Sequence, residues 1–289
     1  VDRIILIHTI KLHGIKFFVL STIFVFETSP EPINLVELQK TRNVVKDALS
    51  KNSSLRSHRA RRYIDASEYM EDTYHEIYDS KWTVYPDGRG NYIIPFTISA
   101  NYGKSERKMI LETMRELEKN ICIRFRERRR QKDYIYLRSG EGCASTVGYK
   151  EGKTEVSLEK DGCIDQPSIF HELLHVIGAD HEHQRLDRDR YIKVHWENLK
   201  PNEEQNFIKE AQVPEDLIYD YESIMHYEED AFAKEGTITI KTLDPHFQHI
   251  IGKAKEPSVL DYAKICVYYD CVECMGLYDW YYKDVQHAR

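Results

Sequence analysis

The stretch HELLHVIGADH runs from His171 to His181 and is the most informative part of this chain of 289 residues. On a helix, positions four apart lie one turn apart on the same face, so His171 and His175 can present two imidazoles to one metal ion. Glu172 follows the first of them and can reach a metal-bound water. Gly178 can adopt the left-handed conformation that ends the helix and turns the chain, which lets His181 return to the same metal. Three neutral imidazoles and a water form an open, catalytic type of zinc site.

The alternative for HExxH by itself is a pair of surface histidines on an ordinary helix. The longer spacing HExxHxxGxxH is much rarer, because it fixes five residues at set distances, and it favours the metal site. Four apolar residues within the stretch predict that its helix is mostly buried: Leu173, Leu174, Val176 and Ile177. Ser168 is positioned to cap the start of this helix, and Pro167 cannot continue it backwards.

The composition is that of a soluble globular protein, with 41% apolar and 31% charged residues. A net charge of −7 gives no reason to expect nucleic-acid binding. The basic run from Arg124 to Lys132 is a local exception, and a solvated strand edge is favoured over a binding patch there. No stretch has the roughly 20 apolar residues of a membrane-spanning helix. We therefore expect neither a nucleic-acid partner nor a membrane span.

The amino-terminal region is typical of a secreted precursor. Lys11, His13 and Lys16 precede the apolar run FFVLSTIFVF at residues 17–26, which is a signal-peptide pattern; the alternative is a buried helix or strand. We interpret residues 1–29 as a signal-like segment and the polar residues 30–72 as a propeptide or linker. The tetrad from Arg59 to Arg62 has the dibasic form that processing proteases cut, although a solvated basic loop explains it equally well. The expected location is extracellular.

The regular elements predicted from apolar patterns come mostly before the motif helix. Residues 93–98, 121–125, 134–137 and 156–158 are predicted strands, and residues 106–118 a predicted amphipathic helix. Pro95 makes the first of these an edge strand in this interpretation, because proline cannot donate to a sheet ladder. The region after the motif helix is richer in turns.

Six cysteines follow the signal-like segment, and an even number in that context predicts disulfides. Cys271 and Cys274 also form a CxxC, which is found in zinc knuckles and redox pairs. No second CxxC is present to complete a four-cysteine zinc site, so disulfides are favoured.

The motif continues into further segments that resemble one family. SIMHY, from Ser223 to Tyr227, is similar to a metzincin Met-turn, and EHQRLDRDRY, from Glu182 to Tyr191, is similar to the extension that separates astacins from other metzincins. Other similar segments are IIPFTIS at 93–99, CIRF at 122–125, DYIY at 133–136, GCASTVGY at 142–149, VSL at 156–158 and LDYAKICVYYDC at 260–271. The chain therefore resembles the astacin family of metzincin zinc metalloproteases over residues 80–271.

The resemblance implies an α+β, two-lobed metzincin catalytic domain. Its upper lobe would hold a twisted, mostly parallel sheet and two long helices, and its lower lobe would be irregular. Residues 73–274 would form the astacin-like peptidase domain and residues 275–289 a short tail. The resemblance also implies one zinc ion on His171, His175 and His181, which Gly178 allows to converge.

Further roles follow from the resemblance residue by residue. Glu172 would be the general base acting on a zinc-bound water, and Tyr227 would hydrogen-bond the developing oxyanion. Met225 would form an apolar base beneath the metal. Glu182 would anchor a mature amino terminus; its alternative is a solvated glutamate.

The resemblance pairs Cys143 with Cys163 and Cys122 with Cys271. Cys266 and Cys274 remain and pair only by elimination, because Cys266 stands where the family usually has another residue.

The function implied is that of a secreted endopeptidase, made as a zymogen. Its partners would be protein or peptide substrates bound in extended conformation, antiparallel to an edge strand. One rival is a zinc-containing binding protein, or a permanently latent zymogen, without turnover. Such a protein would commonly have lost Glu172, which this chain keeps. Another rival is a different metzincin branch, and the extension at residues 182–191 argues against it.

Overall fold

The computed structural model describes residues 6–12, 15–21, 80–210 and 217–278. The whole predicted propeptide, residues 30–72 with the tetrad at 59–62, and most of the predicted tail lie outside these ranges. The chain divides into two compact units, residues 1–44 and 45–289. In the first unit, β1 (Leu6–Leu12) and β2 (Ile15–Ser21) pair as an antiparallel hairpin, and β2 contains half of the signal-like apolar run.

The second unit contains a five-stranded sheet. Its strands are β3 (Tyr92–Ile98), β4 (Ile123–Glu127), β5 (Tyr134–Arg138), β6 (Cys143–Ser145) and β7 (Lys153–Leu158). They lie in the order β4-β3-β5-β7-β6, all neighbours parallel except the β6–β7 pair. The mostly parallel sheet was predicted, whereas β6, the short antiparallel strand at one edge, was not.

The predicted edge position of Pro95 is wrong, because β3 lies between β4 and β5. Tyr92 N donates to Cys122 O on the β4 side, and Ile93 N donates to Tyr85 O on the other side. Alternation along the strand places the Pro95 nitrogen on the same side as that of Ile93. Pairing with β5 begins only at Phe96, so the missing N–H removes no ladder bond.

Two long helices pack with this sheet, as the resemblance implied. Helix α1 (Lys104–Glu118) buries Ile110, Thr113, Met114 and Leu117. It begins two residues before the predicted start because Gly103 is its N-cap, with Gly103 N donating to the Glu106 carboxylate. Helix α2 (Gln166–Ile177) carries the motif and contributes six buried apolar residues to the same core.

The chain after α2 is irregular. Its described residues form five 3₁₀ turns, at Glu182–Gln184, Arg188–Arg190, Trp196–Asn198, Glu204–Phe207 and Pro245–Phe247. One short antiparallel pair joins β8 (Ile192–Val194) to β9 (Ile240–Thr242). A separate apolar cluster forms around the fully buried Phe207, which gives this lobe its own core.

The chain then returns to the first core. Helix α3 (Val259–Tyr268) buries Ala263, Ile265 and Tyr268 there, and a small pair, β10 (Glu273–Cys274) and β11 (Leu277–Tyr278), follows. The second unit is therefore an α+β domain with a sheet-and-helix lobe and an irregular lobe. No helix in the described ranges is both long and apolar enough to cross a bilayer.

Three disulfides tie these elements together. Cys122 bonds to Cys271, Cys143 to Cys163 and Cys266 to Cys274, with Cα–Cα distances of 5.4, 5.7 and 6.0 Å. Cys271 and Cys274 therefore have different partners, and their CxxC holds neither a metal nor a redox disulfide. The Cys143–Cys163 bond holds the start of β6.

Candidate metal centre and catalytic site

The predicted cap of α2, Ser168, is wrong, because Asp165 caps the start of this helix. The Asp165 carboxylate accepts hydrogen bonds from Ser168 N at 3.0 Å and from Ser168 Oγ at 2.9 Å. Pro167 lies inside the first turn, where a missing N–H costs nothing. An aspartate at the N-cap accepts bonds from two donors of Ser168, which explains the shift of the cap by three residues.

The end of α2 lies at Gly178, which adopts φ 113° and ψ 15°. Gly178 N and Ala179 N both donate to Leu174 O, at 3.1 and 2.9 Å, and close the last turn. A Cβ at position 178 would lie 2.9 Å from Cε1 of Tyr268. The left-handed backbone and the close ring both require glycine here, and the turn directs His181 back toward the helix.

The three predicted ligands converge. Nε2 of His181 lies 3.2 Å from Nε2 of His175 and 3.3 Å from Nε2 of His171. Each Nδ1 atom faces an oxygen, namely Ile224 O for His171, Ala179 O for His175 and Gln184 Oε1 for His181, at 2.7–3.0 Å. Because a carbonyl oxygen accepts, each Nδ1 carries the proton and each Nε2 keeps its lone pair for the common centre.

This donor set fits zinc. Nitrogen atoms roughly 2.0–2.1 Å from one centre at tetrahedral angles lie about 3.3–3.4 Å apart, close to the separations found. Burial and the neighbouring imidazoles lower the pKa of His175 well below its usual range and that of His181 to about 4. Both rings are therefore neutral, which an imidazole must be to bind a metal ion. Within the described residues, these three histidines form a group whose ligand atoms are close enough together to hold one metal ion.

Glu172 lies beside this centre without belonging to the ligand group. Its side chain is buried, and its Oε2 accepts a hydrogen bond from Ser145 Oγ at 2.7 Å. Burial raises the pKa of this carboxyl above its usual value. A carboxylate with a raised pKa is better suited to accept a proton near neutral pH.

Tyr227 packs against His181 and His183. Its ring is 4.6 Å from that of His181 and stacks on His183 at 3.9 Å with an interplanar angle of 27°. Burial raises the pKa of Tyr227 to about 12, so the phenol keeps its proton and can donate. His183 was not predicted, and nothing in its spacing shows that it underlies Tyr227.

The turn at Met225 is held by Asp261, which the sequence analysis missed. Met225 is buried, and Ser223 Oγ donates to Asp261 Oδ1 at 2.6 Å while Ile224 N donates to Oδ2 at 3.0 Å. Asp261 also forms a capping box with Ser258 at the start of α3. The SxxD spacing was a usable signal for that helix start, although it does not reveal the contact with the turn.

Glu182 is neither solvated nor unpaired. It is 1% exposed, its Oε1 accepts from Asp220 N at 2.7 Å, and it forms ion pairs with Arg185 and Lys264. Burial opposes ionisation, but the charge of Lys264, followed by that of Arg185, outweighs it and lowers the pKa of Glu182. The alternative of a solvated glutamate is therefore wrong, and this carboxylate has partners without a new amino terminus.

Comparison with known proteins places these residues in context. The model of the Astacin peptidase family matches residues 82–270. Zinc metalloproteinase nas-5 of Caenorhabditis elegans is 41% identical over 203 residues, which are 68% of this chain and 56% of that protein. Zinc metalloproteinase nas-6 of the same organism is 40% identical over 182 residues, or 62% and 53%. This chain thus spans about half the length of these curated relatives.

A solved structure is also similar. High choriolytic enzyme 1, a hatching enzyme zinc-protease from the medaka fish Oryzias latipes, has a TM-score of 0.63 and 36% identity. The similarity covers 67% of this chain and 96% of that chain.

Proposed function

Because this chain belongs to the astacin family of metzincin zinc metalloproteases, we propose that it is a secreted zinc-dependent endopeptidase that is made as a zymogen. The observation that carries the proposal is the convergence of three unprotonated Nε2 atoms beside a buried carboxylate. The reaction would be hydrolysis of internal peptide bonds in protein substrates.

Each group has one task in this proposal. His171, His175 and His181 would hold one zinc ion, which when bound lowers the pKa of water to about 7 and polarises a carbonyl. Glu172 would accept a proton from water at its carboxylate and later give that proton to the leaving amine. Tyr227, protonated at neutral pH, would donate a hydrogen bond to the developing oxyanion.

The substrate would lie extended along β6. This strand is at one end of the sheet order and runs antiparallel to β7. An added peptide strand is recognised mainly through backbone hydrogen bonds, which makes recognition partly independent of sequence. Three disulfides also support an oxidising, extracellular location.

Activation would begin with a cut near Arg62 and continue by trimming toward Thr73. Both positions lie outside the described residues. An α-ammonium brought to Glu182 would meet a carboxylate that Lys264 and Arg185 already neutralise. Activation therefore rests here on removal of residues 30–72 and not on a new ion pair. Amino-terminal sequencing of the active secreted form tests this, and full activity with a start upstream of Arg59 would contradict it.

The decisive experiment is digestion of casein by the purified, trypsin-treated protein, with and without a chelator. We expect chelator-sensitive cleavage. In the Glu172→Gln variant we expect the same zinc content and melting temperature, with activity lower by about a hundredfold or more. A zinc-containing binding protein without turnover would show no cleavage in either form. A loss smaller than a hundredfold would remove Glu172 from the role of base.

A further inference from the structure

We propose that Ser145 is a positioning residue for Glu172 and couples the edge strand β6 to the general base. This inference rests on the proposed function, because it names the group that orients the base of that reaction. Ser145 lies at the end of β6, the strand along which the substrate is proposed to pair.

The contact is between a hydroxyl on the sheet and a carboxylate on α2. Ser145 Oγ lies 2.7 Å from Glu172 Oε2 and 3.0 Å from Glu172 O. Its proton can reach either oxygen, and the shorter distance favours the carboxylate. Glu172 is 4% exposed, so this hydroxyl replaces water that the carboxylate has lost.

Ser145 is itself held by the sheet. In the antiparallel β6–β7 ladder, Ser145 is opposite Val156, and Cys143 is bonded to Cys163 at the start of the strand. Beyond the strand, Gly148 N donates to His175 O at 2.8 Å, which makes a second connection to α2. The backbone that carries the hydroxyl is therefore held by contacts that do not involve the side chain of Glu172.

A peptide paired with β6 would restrain the strand that carries Ser145. Through the hydrogen bond, this restraint would reach the Glu172 carboxylate. The consequence is that Ser145 acts on the chemical step rather than on substrate affinity. Long substrates that pair along the whole strand would depend on it more than short ones.

The first test compares Ser145→Ala with Ser145→Thr and with a matched control, Ser157→Ala. Ser157 lies on the neighbouring strand and donates to Gly142 O at 2.9 Å, so its loss removes one hydroxyl bond in the same sheet without touching Glu172. We expect Ser145→Ala to lower kcat about ten- to a hundredfold with KM and zinc content unchanged. Threonine should restore most of kcat, and Ser157→Ala should leave it unchanged.

The second test does not need activity. In a double-mutant cycle with Glu172→Ala, followed by urea unfolding of the zinc-loaded protein, Ser145→Ala should shift the midpoint less when the carboxylate is absent. Additive shifts, or a wild-type kcat in Ser145→Ala, would overturn the inference while leaving the proposed function intact. If the wild type cleaves nothing, the proposed function fails, and the cycle still decides whether Ser145 holds Glu172.

Discussion

The parts of the domain on the two sides of Gly178 are held together by different interactions. Before it, parallel strands and two helices satisfy their backbone groups locally and enclose an apolar core. After it, short turns predominate, and buried polar side chains hold them in place. Arg185 donates to Leu217 O at 2.7 Å, and Arg188 donates to His183 O at 3.0 Å.

This difference separates the residues that we expect to affect turnover from those that we expect to affect stability. Groups that face the metal centre, such as Glu172 and Tyr227, can change without breaking a backbone ladder. Groups behind it, such as Glu182 and Asp261, hold the turns on which His181 and Met225 are placed. We therefore expect substitutions of the first kind to reduce turnover and substitutions of the second kind to reduce stability.

The largest effect in this comparison is expected for Lys264→Met. It leaves the buried Glu182 with Arg185 as its remaining cation, and removing one partner of a buried ion pair typically costs about 3–5 kcal/mol. Urea unfolding against the wild type measures the change. Lys241→Met, at an exposed lysine on β9, is the control. Equal midpoints for the two variants would mean that the ion pair does not support the irregular lobe.

A smaller effect, on turnover and not on stability, is expected for Tyr227→Phe. The ring stack on His183 is kept, so the melting temperature should not change. Turnover should fall by about a hundredfold with KM unchanged, because the lost hydrogen bond acts in the transition state of the proposed mechanism. Tyr221→Phe is the matched control. It removes a tyrosine hydroxyl that donates a 2.7 Å hydrogen bond to Tyr191 O and is not one of the groups at the proposed metal site. A rise in KM alone would refute the role of Tyr227.

The buried carboxyl of Asp220 should make the unfolding free energy depend on pH. Burial and the neighbouring Asp261 raise the pKa of Asp220 to about 7, against roughly 3.9 in an unfolded chain. The folded state then binds the proton more tightly, so this group's contribution to stability is complete below about pH 4 and is lost as pH rises through about 7. Asp220→Asn mimics the protonated form. Relative to wild type, the variant should gain unfolding free energy from pH 5 to about pH 7.5; a constant difference would contradict the assignment.

The smallest effect concerns the start of α2. Asp165→Ala removes the acceptor for Ser168 N and should lower the unfolding free energy by about 1 kcal/mol. Ser168→Ala should cost less, because that hydroxyl only donates back to the same carboxylate. Thermal unfolding of both variants measures the order. A larger loss of stability in Ser168→Ala than in Asp165→Ala would mean that Ser168 is the cap, as the sequence analysis predicted.

The features that could be predicted from the sequence are local. The i, i+4 spacing of His171 and His175, and the need for Gly178 before His181, follow from helix geometry. The positions of four strands and of α1 follow from apolar patterns, and the family, with its mostly parallel sheet, follows from the resemblance of contiguous segments. Each depends on residues within about one or two turns of one another, which is the distance over which backbone geometry relates sequence to position.

Tertiary structure alone decided which polar groups meet across long separations. Ser145 reaches Glu172 across 27 residues, Asp261 reaches Ser223 across 38, and Lys264 reaches Glu182 across 82. No periodicity connects such pairs, because their contact depends on how the sheet, α3 and the irregular turns pack. Polar groups that are buried together must form hydrogen bonds or ion pairs with one another. The spacing of these residues along the chain does not indicate which groups will be buried together.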